Sequence, residues 1–265
     1  METSRLKNIV ILILALTNLS LLGLLALRLT IGYASRETAT QQMVELFAAE
    51  GVALDPDLIP STTPPAGLTL TRDEEEERHL AEFLLGDTLS TSDGGGVHAF
   101  QNAGGSAVFR ADGSFDVVIT AGGEGAESLC RAFCRAFQYE DLVFLLEDGS
   151  GSATAVQTYD GAPVVNCPVT FTIQNGVLES VSGTHLPGSG SAASGGGTLS
   201  ALGALDALLE TIRSGAVVTE VTDLYLCYEL QSTTATPMAL VPAWCIATDT
   251  QNYYVNSYTG NVSVN

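Results

Sequence analysis

Five cysteines, three histidines and thirty carboxylates are the side chains with which this 265-residue chain could do chemistry, and their spacing organises no common reaction. His79, His98 and His185 stand far apart, with no further His or Cys at the offsets that metal ligation uses, so no metal site is expected. His79 reads as a helix-surface residue. The sequence contains no G-x-S-x-G, H-E-x-x-H or phosphate loop. Gly188-Ser189-Gly190-Ser191-Ala192-Ala193 imitates a dinucleotide fingerprint, but β-meanders rather than a parallel βαβ unit surround it, and no cofactor is expected. Carboxylates are so abundant that a pair can always be found. Nothing in their spacing singles out an acid and a base, so no catalytic residue is assigned and the chain is expected not to be an enzyme.

The cysteines allow more. Cys130 and Cys134 fall four apart on an expected helix, which brings them to one face in a geometry awkward for a bridge and lacking further metal ligands. Cys227 and Cys245 fall on expected neighbouring strands and are the candidate disulfide pair. The simpler alternative is that all five are small buried hydrophobes. Outside the cell an odd number leaves at least one thiol free or paired with another chain.

Charge narrows the function classes. Ten basic residues face thirty acidic ones, for a net charge of −20, and such a surface repels phosphate backbones, so no nucleic-acid partner is expected. From Ile9 to Leu27 the chain runs nineteen residues without a charge. As a helix this rises about 28 Å, enough to cross a bilayer core. The expected layout is therefore a cytoplasmic tail over residues 1–8, a transmembrane helix over 9–28 and an extracytoplasmic domain over 29–265. The positive-inside bias is slight, with Arg5 and Lys7 before the span and Arg28 and Arg36 after it. Orientation rests on bulk, since an eight-residue tail is easily retained while the part after residue 28 carries seven arginines against twenty-nine acids. A cleaved signal peptide ending near Gly32-Tyr33-Ala34 is the competing reading, disfavoured by the length of the apolar run and by Arg28. Within the span Thr17, Asn18, Ser20 and Gly23 form a small or polar strip where another helix could pack.

The rest of the chain reads as helices alternating with antiparallel strands. A helix over residues 40–50 carries Met43, Leu46 and Phe47, and a proline-rich connector follows over residues 55–66. Thr71 and Glu74 fit a capping box that opens a helix with Leu80, Phe83 and Leu84, which gives the acidic run Asp73–Glu77 a structural reason rather than a calcium site. Residues 97–119 form a three-stranded meander with a hairpin signal at Asp112-Gly113. A helix over 124–137 follows, then strands over 153–159, 164–173 and 177–183. The tract Gly188–Gly197 reads as a flexible loop, with Thr198 capping a helix that carries Leu202, Leu205, Leu209 and Ile212. Strands over 217–230, 238–248, 253–256 and 262–264 close the chain. The fold class is α+β, helices laid on antiparallel meanders in repeated helix-plus-meander units, with sub-units over 36–120, 121–190 and 198–265.

Three motifs carry a resemblance. Arg5-Leu6-Lys7-Asn8 leads directly into the apolar run, and a helix ending Glu50-Gly51-Val52-Ala53-Leu54 is followed by Ile59-Pro60. Gln157-Thr158-Tyr159-Asp160-Gly161-Ala162-Pro163-Val164 matches a Q-x-Y-x-G-x-P-(V/I) hairpin. Pro242-Ala243-Trp244-Cys245-Ile246, with Tyr253 to Gly260, is similar to the P-x-W-x-I … Y-x-(V/I)-N-x-x-T-G ending of PepSY-like modules. Over nearly its whole length the chain resembles the YycI and YycH family of membrane-anchored regulators, and by length it is nearer YycI. The resemblance implies a role in two-component signal transduction and cell-wall regulation: a non-enzymatic subunit beside the sensor histidine kinase WalK (YycG) and a YycH-like partner, in the cell membrane with its C-terminal domain outside. The sequence departs from the family in its acidity and in its glycine tract. Trp244 reads as core, and Pro242 as a strand edge. A PepSY-type module that binds or inhibits an extracellular peptidase or cell-wall hydrolase is the alternative.

Overall fold

The structure is a computed structural model that describes residues 17–19, 21–22, 36–87, 89–120, 123, 125–193, 197–233 and 236–264. Residues 17–19 and 21–22 are helical. The rest of the expected span, Ser20 and Gly23 included, lies outside the described residues. Among the described residues no helix is long and apolar enough to cross a membrane.

The architecture is α+β. Helix α1 covers residues 36–49, followed by β1 (Ala53–Leu54), a 3₁₀ turn at Pro56–Leu58 and β2 (Leu68–Leu70). Three times thereafter a helix leads into four antiparallel strands. Helix α2 (Glu74–Leu85) precedes β3 (Ser90–Gly94), β4 (Val97–Asn102), β5 (Gly105–Arg110) and β6 (Ser114–Ile119). Helix α3 (Ala126–Ala136) precedes β7 (Tyr139–Glu147), β8 (Ser150–Tyr159), β9 (Ala162–Gln174) and β10 (Val177–Thr184). After a short β11 (Gly190–Ala192), α4 (Ala201–Arg213) precedes β12 (Glu220–Thr233), β13 (Thr236–Thr248), β14 (Asn252–Asn256) and β15 (Val262–Val264).

The first two meanders are one sheet, because their last strands pair with each other. Strands β6 and β10 run antiparallel in register Ser180↔Val118 and Ser182↔Asp116, giving the order β3-β4-β5-β6-β10-β9-β8-β7. Antiparallel pairing of equivalent strands is what a local two-fold relation between the units produces. Both helices lie on one face of this sheet. Leu80 and Leu84 of α2 and Cys130, Phe133 and Cys134 of α3 share a single core with Phe109, Phe115, Val169 and Phe171. The Phe83 ring meets Phe133 and Phe137 edge-on at 6.0 and 5.5 Å, holding α2 against α3.

The third meander forms a second sheet that the segment before α2 completes, with β1 parallel to β12 and β2 antiparallel to β13. Met43 and Phe47 of α1 enter its core beside Leu205 and Leu208 of α4 and Trp244. The two sheets meet where β9 and β12 run parallel at Tyr228↔Val164. Beside that pair the Asn166 side chain stands in for a strand backbone, donating Nδ2 to the Leu230 carbonyl at 2.8 Å and accepting the Leu230 N–H at 2.7 Å.

Several local expectations are corrected. The cap of α2 is Asp73, which accepts from the N–H groups of Glu75 and Glu76, rather than Thr71. Ser200 caps α4 in place of Thr198. Residues 190–192 of the glycine tract are a strand paired with β2, not a free loop. Strands β3 and β7 have no counterpart in the sequence reading. Ser90–Gly94 holds no apolar residue, and the run Asp141–Leu146 lacks the alternation that marks a strand. Pro242 lies inside β13, where the pairing of one side changes from β2 at Ala239–Leu240 to β14 at Ala243. That gap is a local edge which tolerates a residue without a backbone donor.

Candidate functional site

The acidic start of α2 is where the fold gathers the histidines. Asp73 caps the helix, Glu74 and Glu75 stay exposed, and Glu76 and Glu77 turn inward. Glu77, buried, takes Arg72 in a two-pronged contact, Nε–Oε1 at 2.5 Å and Nη2–Oε2 at 3.0 Å. It also accepts His98 Nδ1 at 2.8 Å. The other Arg72 donors reach the carbonyls of Gly96 and Phe109 at 2.7 and 3.1 Å, pinning the start of α2 to the β3–β4 turn and to strand β5. Two-pronged charge-assisted contacts of this kind fix direction as well as distance.

One residue earlier, Glu76 faces a polar cleft between α2, the end of α3, the end of β8 and the segment after β10. Its Oε2 accepts the Gly188 N–H at 2.8 Å. A Cβ on residue 188 would stand 2.9 Å from Glu76 Oε1, so a side chain there would push the carboxylate aside. Across the cleft lies Gln157, buried on β8. Its Oε1 accepts the Leu186 N–H at 2.8 Å, and its Nε2 faces Phe137 O, Leu186 O and His185 Nδ1, each at 3.4 Å. The Gln157 amide nitrogen cannot accept, so a proton on His185 Nδ1 would face a donor with nothing to receive it, and the ring proton is assigned to Nε2. Nε2 stands 3.9 Å from Glu76 Oε2. His79 and Asp160 also line the cleft.

Burial away from water holds His185 neutral, its pKa pushed down to about 4. An unfolded histidine titrates near about 6.5. Between those values the unfolded chain binds a proton that the folded chain refuses, so stability falls as pH drops through that window. Above about 6.5 and below about 4 this contribution no longer changes. Urea unfolding at stepped pH should show the native chain losing about 3 kcal/mol more over the window than a His185→Phe chain, which keeps the ring contact with Phe137 but has nothing to protonate.

The other candidates from the sequence lie elsewhere. Thr17 and Asn18 are on the described helical residues near the start, and Ser20 and Gly23 lie outside them. Cys227 and Cys245 occupy neighbouring strands and share a small core, Cys227 standing opposite Ala243 and Cys245 opposite Tyr225, so the two are diagonal neighbours. All five cysteines are free and buried. Burial pushes Cys130 and Cys167 up to about 12 and Cys134 up to about 11, which suppresses thiolate chemistry. Among the described residues no three His, Cys, Asp or Glu side chains converge on a metal-binding geometry.

Sequence reasoning missed the Glu76–Gln157–His185 cleft because its members are brought together from three elements far apart in the chain. The signal available was Gln157 at the head of the hairpin motif. The closing motif is structural as well: Trp244 is fully buried and donates Nε1 to the Leu199 carbonyl at 2.9 Å. Asn256 accepts the N–H groups of Tyr258 and Thr259 at 3.0 and 3.1 Å to form the last turn, and Tyr258 accepts the Gly67 N–H at 2.6 Å.

No family model matches the chain, and no curated protein matches it. Among solved structures it is similar to an uncharacterized protein from Eubacterium rectale, at 11% identity and a TM-score of 0.42, over 77% of this chain and 80% of that one.

Proposed function

We propose that the chain is a membrane-tethered, non-enzymatic regulatory subunit of a sensor histidine kinase, similar in role to YycI, with its N-terminus in the cytoplasm and its α+β domain outside. The observation that carries this reading is the exposure of Leu19, Leu21 and Leu22, at 70%, 59% and 62%, on helical residues inside an uncharged run. Leucines left uncovered by their own protein need another apolar medium, and a bilayer is the medium that a nineteen-residue run fits. Helix α1 would carry force between tether and domain, since Met43 and Phe47 seat it in the third unit's core and Glu50 accepts Arg213 Nε at 2.9 Å. The domain would then act by preferring one of two kinase arrangements, and a preference of about 1–3 kcal/mol is ample for regulation.

The test is a triple substitution, Thr17→Leu, Asn18→Leu and Ser20→Leu, on the strip where a partner helix would pack. The expected result is loss of kinase co-purification and of the change in kinase output, with the chain still in the membrane fraction. Unchanged co-purification and output would remove the helix contact from the proposal. The alternative, a PepSY-type binder or inhibitor of an extracellular peptidase or cell-wall hydrolase, needs no tether. Residues 29–265 expressed without the span should therefore restore function under that reading and fail to do so under the first.

A further inference from the structure

The Glu76–Gln157–His185 cleft encloses about 270 Å³. This is just below the roughly 300–1,000 Å³ of sites for drug-sized ligands, so it suits one ring. His185 Nε2 has no hydrogen-bond partner, its nearest acidic oxygen being Glu76 Oε2 at 3.9 Å, beyond bonding distance. Among the described residues every fully enclosed side-chain nitrogen and oxygen has a partner, so Nε2 opens into the cavity. The cleft thus presents a fixed N–H donor beside a carboxylate acceptor, with Asp160 and His79 on its rim and the rings of Phe137 and Tyr159 in its wall.

Those groups discriminate among ligand chemistries. An anion meets Glu76, Asp160 and the field of a chain carrying −20. An ammonium or guanidinium offers donors alone and would set N–H against the N–H of His185. A trans peptide places its carbonyl and N–H on opposite sides and cannot span one gap with both. A hydroxyl does so with one atom, accepting from Nε2–H and donating to the carboxylate.

We propose that this cleft binds a small neutral polyhydroxyl ring, one sugar residue, with a ring hydroxyl bridging His185 Nε2 and Glu76 Oε2. A second hydroxyl faces Asp160 or His79, and the apolar face of the ring lies along Tyr159. The site belongs to the first two units and is independent of the tether and of any kinase.

The probes are glucose, N-acetylglucosamine and ribose, offered at millimolar concentration to the full chain in a detergent without sugar headgroups, with binding read on the ligand by saturation-transfer NMR. The expected result is transfer to at least one sugar, with affinity about tenfold weaker in His185→Phe, which loses one good hydrogen bond, and severalfold weaker in Glu76→Gln, whose amide oxygen accepts without the charge that strengthens the bond. Glu76 is partly exposed, so Glu76→Gln should keep the native melting temperature and remain decisive if His185→Phe folds poorly. Transfer to none of the sugars overturns the proposal, and so does transfer that both variants leave unchanged. Binding of n-butylamine in their place overturns it in favour of a cation site.

Discussion

Glu77→Ala is expected to destabilise the domain by about 3 kcal/mol, the cost of leaving a partly buried arginine without its counter-charge. Arg72 is only 20% exposed at its side chain and Glu77 only 9%, and the carboxylate holds both Arg72 and His98. Removing it strands a guanidinium that also fixes the Gly96 and Phe109 carbonyls, so the start of α2 loosens from the β3–β4 turn and β5. Urea unfolding at neutral pH measures the loss directly. The double substitution Arg72→Met with Glu77→Leu is the informative control. It replaces a buried pair by apolar groups of similar size, and recovery to within about 1 kcal/mol of the native chain would assign the single-variant loss to the orphaned charge. An equal loss in both chains would assign it to packing.

Negative charge at a helix start is favourable in general, and the run Asp73–Glu77 was legible as helix-opening sequence on that ground. What the sequence did not disclose is the division of labour: Asp73 caps, Glu76 faces a cleft and Glu77 holds Arg72 and His98. Successive helical residues point in directions about 100° apart, so five acids in a row inevitably face different neighbours, and those neighbours come from strands that no local pattern names.

The elements themselves were legible where side chains alternate or turn residues punctuate. Asp112-Gly113, Asp160-Gly161 and Asn175-Gly176 each close a hairpin where expected, with Gly113, Gly161 and Gly176 at positive φ. Strand β3 was illegible because an edge strand without apolar side chains has no pattern to read. The merging of two meanders through β6 and β10 was illegible for another reason. It depends on complementary sheet edges rather than on either unit's own periodicity. Of the candidate site, Gln157, Tyr159 and Asp160 lay in one motif; Glu76 read as one carboxylate among many, and His185 read as isolated.

Trp244→Ala is expected to cost about 3–5 kcal/mol, and more if the Leu199 carbonyl finds no water to replace the indole N–H. Trp244 is fully buried in the core that also receives Phe47 of α1 and Leu205 and Leu208 of α4. For a domain of this size such a loss lowers the melting temperature by roughly 10 °C, readable by calorimetry. Because the cavity opens beside α1, amide exchange over residues 36–49 should rise more than exchange over the first sheet, whose core is separate. Trp244→Phe separates the two contributions, keeping a ring in the core while losing the donor to Leu199. These outcomes decide what the closing motif is for. Under the proposed role, a tryptophan that seats α1 predicts that Trp244→Ala weakens the regulation in proportion to the loosening of α1, with Trp244→Phe intermediate. A Trp244→Ala chain that stays as stable as the native one yet loses its partner would instead make the motif a contact surface and take α1 out of the coupling.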